Sequence, residues 1–434
     1  MRLKILTYSV RSIALLYLVS ASASGVQSKS VIDCSPRHFV PASPRHTCNG
    51  TFVAQESPSI RRLRETRDCA GCNLSNANLA NAYLREANLR NANLTNANLR
   101  GADLSGAYLR NANLQNASLR GANLSSSDLR AADLRGTDLR DSKINYETEI
   151  DSKWRMVWEI VNQPARGRDM RRANLQGANL SSVNLSQINL ENANLTGANL
   201  SGTNLQNANL SNTNLSGANL FIADLKNANL SSANLTNANL TNADLRQTNL
   251  SQANLDRANL SSANLGGSNL SNTNLMSANL READLTGINL NGANLNGADL
   301  FNVSLRDIDL NSTNLRGANL RGVNFRGVNL RGIELGGVNL SGVNLSGADL
   351  SGANLSGVIL KQAILAKVNL RGVNLTDADL SNADLSNADL SGANLSGTNL
   401  SNADLKGATL SGITLNSATN LCGTTMPDGS QRRC

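Results

Sequence analysis

The chain has 434 residues, of which 3% are aromatic and 17% charged, and its formal net charge is +8. That length would hold two or three ordinary domains, but the apolar content is overwhelmingly Leu and Ala, which excludes ordinary aromatic-rich cores. The 34 glycines follow no period of three, which excludes collagen, and leucine recurs too regularly for a disordered chain.

At the N-terminus, Arg2 and Lys4 precede a mostly apolar run from Ser12 to Val19 and the small-residue pattern Ala21-Ser22-Ala23. This is the grammar of a secretory signal peptide over residues 1–23, with an apolar run well short of the roughly 20 residues that span a bilayer. The mature chain is therefore expected in an exported compartment: periplasm, thylakoid lumen or extracellular space. Residues 24–58 form a flank holding Cys34, Cys48 and both histidines, His38 and His46. Those four could hold zinc, but their spacing is unlike a zinc finger. Histidine catalysis is disfavoured, because both histidines lie outside the patterned region.

Residues 59–72 read as an N-terminal cap. Ser59–Asp68 is charged, with Ile60 and Leu63 at helical spacing, and it leads into Cys69-Ala70-Gly71-Cys72. A first block follows over 73–144, with leucine at every fifth position from Leu74 to Leu139 and Ile144 continuing the frame. A second block over 173–417 keeps the same period from Leu175 to Leu415, with Phe325 as its one replacement. Two residues before each leucine the side chain is small; one before it stands Asn or Asp in most repeats. A period of five fits neither a helix nor a strand. It fits a chain that turns a corner once per repeat, with leucine and the small residue inward and neighbouring coils stacked about 4.8 Å apart. Outward asparagines would then stack amide on amide.

Between the blocks, residues 145–172 form an insertion. Trp154, Val157, Trp158 and Val161 make an apolar stripe on a helix expected over Asp151–Val161. The stripe reads as a surface packed on the rod. The leucine frame shifts across the insertion, so a bend or stagger is expected there. Residues 418–434 read as a C-terminal cap, with a turn at Pro427-Asp428-Gly429.

The motif A(N/D)LXX, as in Ala77-Asn78-Leu79-Ala80-Asn81 and Ala178-Asn179-Leu180-Ser181-Ser182, resembles the pentapeptide-repeat family. The closing TTMPDG run is similar to that of exported cyanobacterial members. The resemblance implies an all-β solenoid: a right-handed quadrilateral β-helix with four repeats per coil, here with a short helical cap and an inserted helix. At strand spacing the two blocks would make a rod of roughly 75 Å.

Six cysteines allow 15 pairings. The local set Cys34–Cys48, Cys69–Cys72 and Cys422–Cys434 is expected, because the two ends lie a rod length apart. With four repeats per coil, residues 20 apart share a face. Arg90, Arg110 and Arg130 then form one ladder, and Arg100, Arg120 and Arg140 form another on the opposite face. Arg316, Arg321, Arg326 and Arg331 form a girdle around one coil. Stacked guanidinium groups repel unless acids such as Asp128, Asp133 and Asp138, or a polyanion, screen them.

The leading function class is a non-enzymatic scaffold or interaction protein of the cell envelope. It would present its polar and arginine-bearing faces to an unknown protein or anionic envelope polymer, with no cofactor, metal or transmembrane span in the mature chain. A filled interior leaves no pocket for catalysis. The alternative is a gyrase-binding DNA mimic, a role some relatives play. The basic charge and the signal peptide disfavour it, and nucleic acid with it.

Overall fold

Each repeat in the computed structural model is one side of a four-sided coil. The model describes residues 57–434 except 306, 307 and 311. The expected signal peptide over residues 1–23, Cys34, Cys48, His38 and His46 lie outside the described residues. Residues Pro58–Cys434 form one compact unit.

The corner chemistry explains the repeat. In the side centred on Leu74, the Ala77 N–H closes a turn onto the Leu74 carbonyl at 3.1 Å, and Asn76 between them has φ 58°. A β-turn with positive φ at its third residue favours Gly or Asn there, which is what most repeats supply. The polar residue before the leucine fixes the same corner: Asn209 Oδ1 accepts the backbone N–H of Ser211 at 3.2 Å. This Asx turn gives outward Asn or Asp a local role besides stacking. Stacking occurs as well. Asn209 donates to Asn189, Asn229 to Asn209, Asn249 to Asn229, Asn269 to Asn249 and Asn289 to Asn269, at 3.1–3.3 Å.

Coils pair through parallel bridges 20 residues apart, such as Asn199↔Asn219. Leu200 N donates to Asn219 O at 2.7 Å and Asn219 N to Ala198 O at 2.9 Å. The leucines and small residues fill the interior in a single apolar core that runs from Leu63 to Ala408. Burial of each leucine contributes roughly 1.5–3 kcal/mol before entropy, and each coil leans only on its neighbours. Where threonine takes the small position its hydroxyl is satisfied from the coil below, as in Thr203 Oγ1 to Leu180 O at 2.9 Å.

The boundaries differ slightly from those expected. The first block begins one repeat earlier: Asp68 bridges Asn88, and Cys69, fully buried, stands where leucine would. Helix α1 (Pro58–Thr66) precedes it, with Leu63 buried and Ile60 packed against the core. The second block also begins earlier, at the bridge Asp169↔Asn189. Helix α2 (Ser152–Asn162) buries Trp154, Val157 and Ile160, with Trp158 and Val161 only partly buried beside them. The buried stripe is thus rotated slightly from the expected one, because the helix meets the core through positions three apart.

Both blocks end on one device. Asn145 and Thr148, and again Asn416 and Thr419, enclose one extra residue, so the next bridges are Asp128↔Glu149 and Asn399↔Asn420, 21 residues apart. In each, the threonine hydroxyl donates to a leucine carbonyl of the coil below, Leu124 at 3.0 Å and Leu395 at 2.8 Å. After the second device the chain forms a hairpin, with Thr425 bridged antiparallel to Gln431.

Candidate functional site

With the interior filled, chemistry is left to the outer faces and the ends. Among the described residues there is no cluster of His, Cys, Asp and Glu able to hold a metal ion. Cys69 is disulfide-bonded to Cys72 beside α1, and Cys422 to Cys434 across the C-terminal hairpin. No helix among the described residues is long and apolar enough to cross a membrane.

The bridges Asn88↔Tyr108↔Asp128 and Asn98↔Ser118↔Asp138 set the two arginine ladders on two faces, each arginine two residues beyond a bridged one. They are not rows of free cations. Arg130 holds Asp128 through two bonds, 2.9 and 2.8 Å, and reaches Glu149 at 2.9 Å. Arg140 holds Asp138 through two bonds of 2.7 Å. Arg120 pairs with Asp141 at 2.8 Å, and the Arg90 guanidinium lies 4.2 Å from the Tyr108 ring centroid. Arg100 and Arg110 make no ion pair among the described residues. At Arg130 and Arg140 the neutralising acid is local: Asp two residues before the arginine folds back onto it. Arg135–Asp133 and Arg246–Asp244 repeat the motif. Hydrogen bonds from the Arg135 side chain hold the Asp133 carboxyl down at about 2, against the desolvation that opposes them. The Arg130 side chain lowers Asp128 in the same way. For Asp138 burial is the largest influence and opposes ionisation, yet the Arg140 bonds still leave it below the usual range.

The girdle is different. Asn, not Asp, precedes the central residue at all four corners, and its Oδ1 is occupied by the backbone N–H of the arginine itself, at 3.1–3.2 Å. Arg316, Arg321, Arg326 and Arg331 are exposed on successive sides, and none makes an ion pair among the described residues. The contrast between Asp-Leu-Arg and Asn-Leu-Arg was present in the sequence, and reading the arginines as one class concealed it.

The ladder is also interrupted between two sides of this coil and the coil that follows. The bridges that would join Asn314 to Glu334 and Asn319 to Asn339 are absent, whereas Asn324↔Asn344 and Asn329↔Asp349 above them are formed. Four consecutive small positions running from this coil into the next hold Val or Ile (Val323, Val328, Ile333, Val338), and the buried Phe325 replaces leucine, while the coil's first two small positions hold Thr313 and Ala318. These side chains are larger than the Ala and Leu that fill most coils, and added volume in a packed interior can force backbones apart.

The family model described as Pentapeptide repeats (8 copies) matches nine overlapping stretches that together cover residues 68–141, 173–332 and 339–412. No curated protein matches the chain. Among solved structures the chain is similar to HetL, a pentapeptide repeat protein involved in heterocyst differentiation regulation in Nostoc sp. strain PCC 7120. The two are 36% identical over 58% of this chain and 92% of that one, with a TM-score of 0.24. It is also similar to Rfr23 of Cyanothece 51142, 25% identical over 36% of this chain and 90% of that one, TM-score 0.17. AT2G44920 of the Arabidopsis thaliana thylakoid lumen is 25% identical over 31% of this chain and 70% of that one, TM-score 0.14.

Proposed function

The chain belongs to the pentapeptide-repeat family, whose fold is the right-handed quadrilateral β-helix, and from that premise we propose that it is a non-enzymatic, exported interaction scaffold of the cell envelope. It presents long polar faces and an unpaired arginine coil to a protein or an anionic envelope polymer. The observation that carries this reading is the continuous apolar core from Leu63 to Ala408, which fills the interior and leaves recognition to the surface. The signal-peptide pattern at residues 1–23 supports export, and the disulfides Cys69–Cys72 and Cys422–Cys434 suit an oxidising compartment.

Two measurements test the proposal. Fractionation of the tagged full-length chain should recover it shortened by about 23 residues in an exported fraction. Recovery at full length in the cytoplasm alone would sink the export reading and return attention to gyrase. Binding to vesicles containing anionic lipid and to polyphosphate tests the anionic arm; absence of both would leave only the protein-partner arm.

A further inference from the structure

We propose that the coil from Leu315 to Leu335 is a docking surface for a flexible linear polyanion bearing closely spaced phosphate or sulfate groups. This rests on the anionic arm of the function proposed above and gives it a site.

Four observations converge on this coil. First, its cations are unneutralised. Elsewhere in the second block three basic side chains that follow a leucine and lack Asp two residues before them find one 18 residues ahead: Arg281 with Asp299 at 3.1 Å, Lys361 with Asp379 at 3.2 Å, Arg371 with Asp389 at 3.3 Å. The acids at the corresponding positions here are engaged otherwise. Glu334 accepts from Asn354 at 2.8 Å, and Asp349 accepts from Asn369 at 2.8 Å and from the Ser351 N–H at 3.0 Å. Second, the next residue at each corner is glycine: Gly317, Gly322, Gly327 and Gly332, with φ between 65° and 74°. Each guanidinium therefore stands beside bare backbone, and a ligand chain can approach closely.

Third, the interrupted ladder frees donors on two of the same sides. Among the described residues, the N–H groups of Leu315, Gly317, Leu320 and Gly322 have no hydrogen-bond acceptor. Unpaired backbone N–H groups beside arginine forks are what phosphate and sulfate oxygens accept from. Fourth, the donors lie on successive corners around the circumference and not in one enclosed pocket. A polymer that wraps adjacent corners can use them together, whereas a single small anion reaches one corner.

Long-chain polyphosphate is the probe, with the full chain in two variants. One replaces Arg316, Arg321, Arg326 and Arg331 with Ser; the other replaces the ion-paired Arg130, Arg135, Arg140 and Arg246. Both remove four positive charges, so net charge cancels in the comparison. The girdle variant should lose at least tenfold in affinity and the paired variant less than about twofold. In the unsubstituted chain polyphosphate should slow amide exchange at Leu315 and Leu320. Equal losses in the two variants, or undiminished binding by the girdle variant, would overturn the assigned site while leaving the anionic reading standing. No binding of polyphosphate or anionic vesicles by the unsubstituted chain would end both. Circular dichroism of each variant confirms that the coils remain folded, and Lys at the four girdle positions should restore part of the lost affinity.

Discussion

The coil ladder is interrupted at the junction of the blocks and again, among the described residues, at the coil of Leu315–Leu335, and these two breaks are finished differently. At the junction of the blocks the chain leaves the solenoid, and helix α2 satisfies the groups it exposes. Trp158 Nε1 donates to Ser142 O at 3.0 Å, Asn162 Nδ2 to Leu139 O at 3.0 Å, and Asp141 N to Asn162 Oδ1 at 2.6 Å. The second block then joins the first through Gly136 N to Gly177 O at 2.8 Å. At the coil of Leu315–Leu335 no residue is inserted; the break coincides with inward side chains larger than the usual Ala and Leu, and among the described residues nothing accepts from the Leu315 and Leu320 N–H groups. A break made by insertion brings its own cover. A break without an insertion leaves donors open, and here it coincides with the unpaired arginines.

The largest expected effect comes from uncovering the junction. Val157 is 1% exposed on the buried face of α2. Val157→Asp would bury an unpaired carboxylate, at a cost of at least about 3 kcal/mol. Because coils are coupled chiefly to neighbours, the loss should stay local. Amide exchange at Gly136 and along α2 should rise to near the unprotected rate, while Leu220 and Leu230 keep their protection. Uniform loss of protection would show that the solenoid unfolds as one cooperative unit.

A smaller effect, of opposite sign, tests the cause of the second break. Phe325→Leu with Val323, Val328, Ile333 and Val338 all changed to Ala restores the dominant pattern. If overfilling keeps the rungs apart, its relief is worth about 1–3 kcal/mol, and exchange at Leu315 and Leu320 should slow. If some other strain holds them apart, the truncations leave cavities, each costing stability in proportion to volume, and exchange should quicken.

How much of this was legible beforehand follows from what the repeat encodes. The fivefold leucine states the inward side of every coil, while the four sides, and with them the stacking of Arg90 with Arg110 and Arg130, came from the resemblance to the pentapeptide-repeat family. The pairing of arginines could be read only by noticing Asp or Asn two residues earlier, since one carboxylate decides whether the guanidinium folds back. The device that closes each block had a weaker signal for a different reason. Asn145–Thr148 and Asn416–Thr419 are four-residue signals in a sequence already rich in Asn, Ser and Thr, and their meaning lies in bonds to the coil below. The break between Asn314 and Glu334 and between Asn319 and Asn339 has no single-residue signal, since no residue is inserted and Asn-Leu-Arg-Gly recurs there without change.

The smallest effect is electrostatic and separates the two regions by pH. The folded-state carboxyl of Asp133 titrates at about 2, lowered chiefly by the Arg135 side chain, while an unfolded Asp titrates near 3.9. Between those values the unfolded chain holds more protons, so stability rises with pH. The contribution is fully present above about pH 4 and is lost as pH falls through about 2. Because Arg135 is 57% exposed, solvent screens the pair, and its worth is below about 1 kcal/mol. Asp133→Asn should therefore lower the protection of Gly136, three residues along the chain at the block junction, at pH 5 and make no difference at pH 2. The girdle corners carry Asn in place of this aspartate, so protection around Leu315 and Leu320 should not respond to the substitution at either pH. A response there would mean that charge at the junction is felt far along the solenoid, and that the two breaks are coupled.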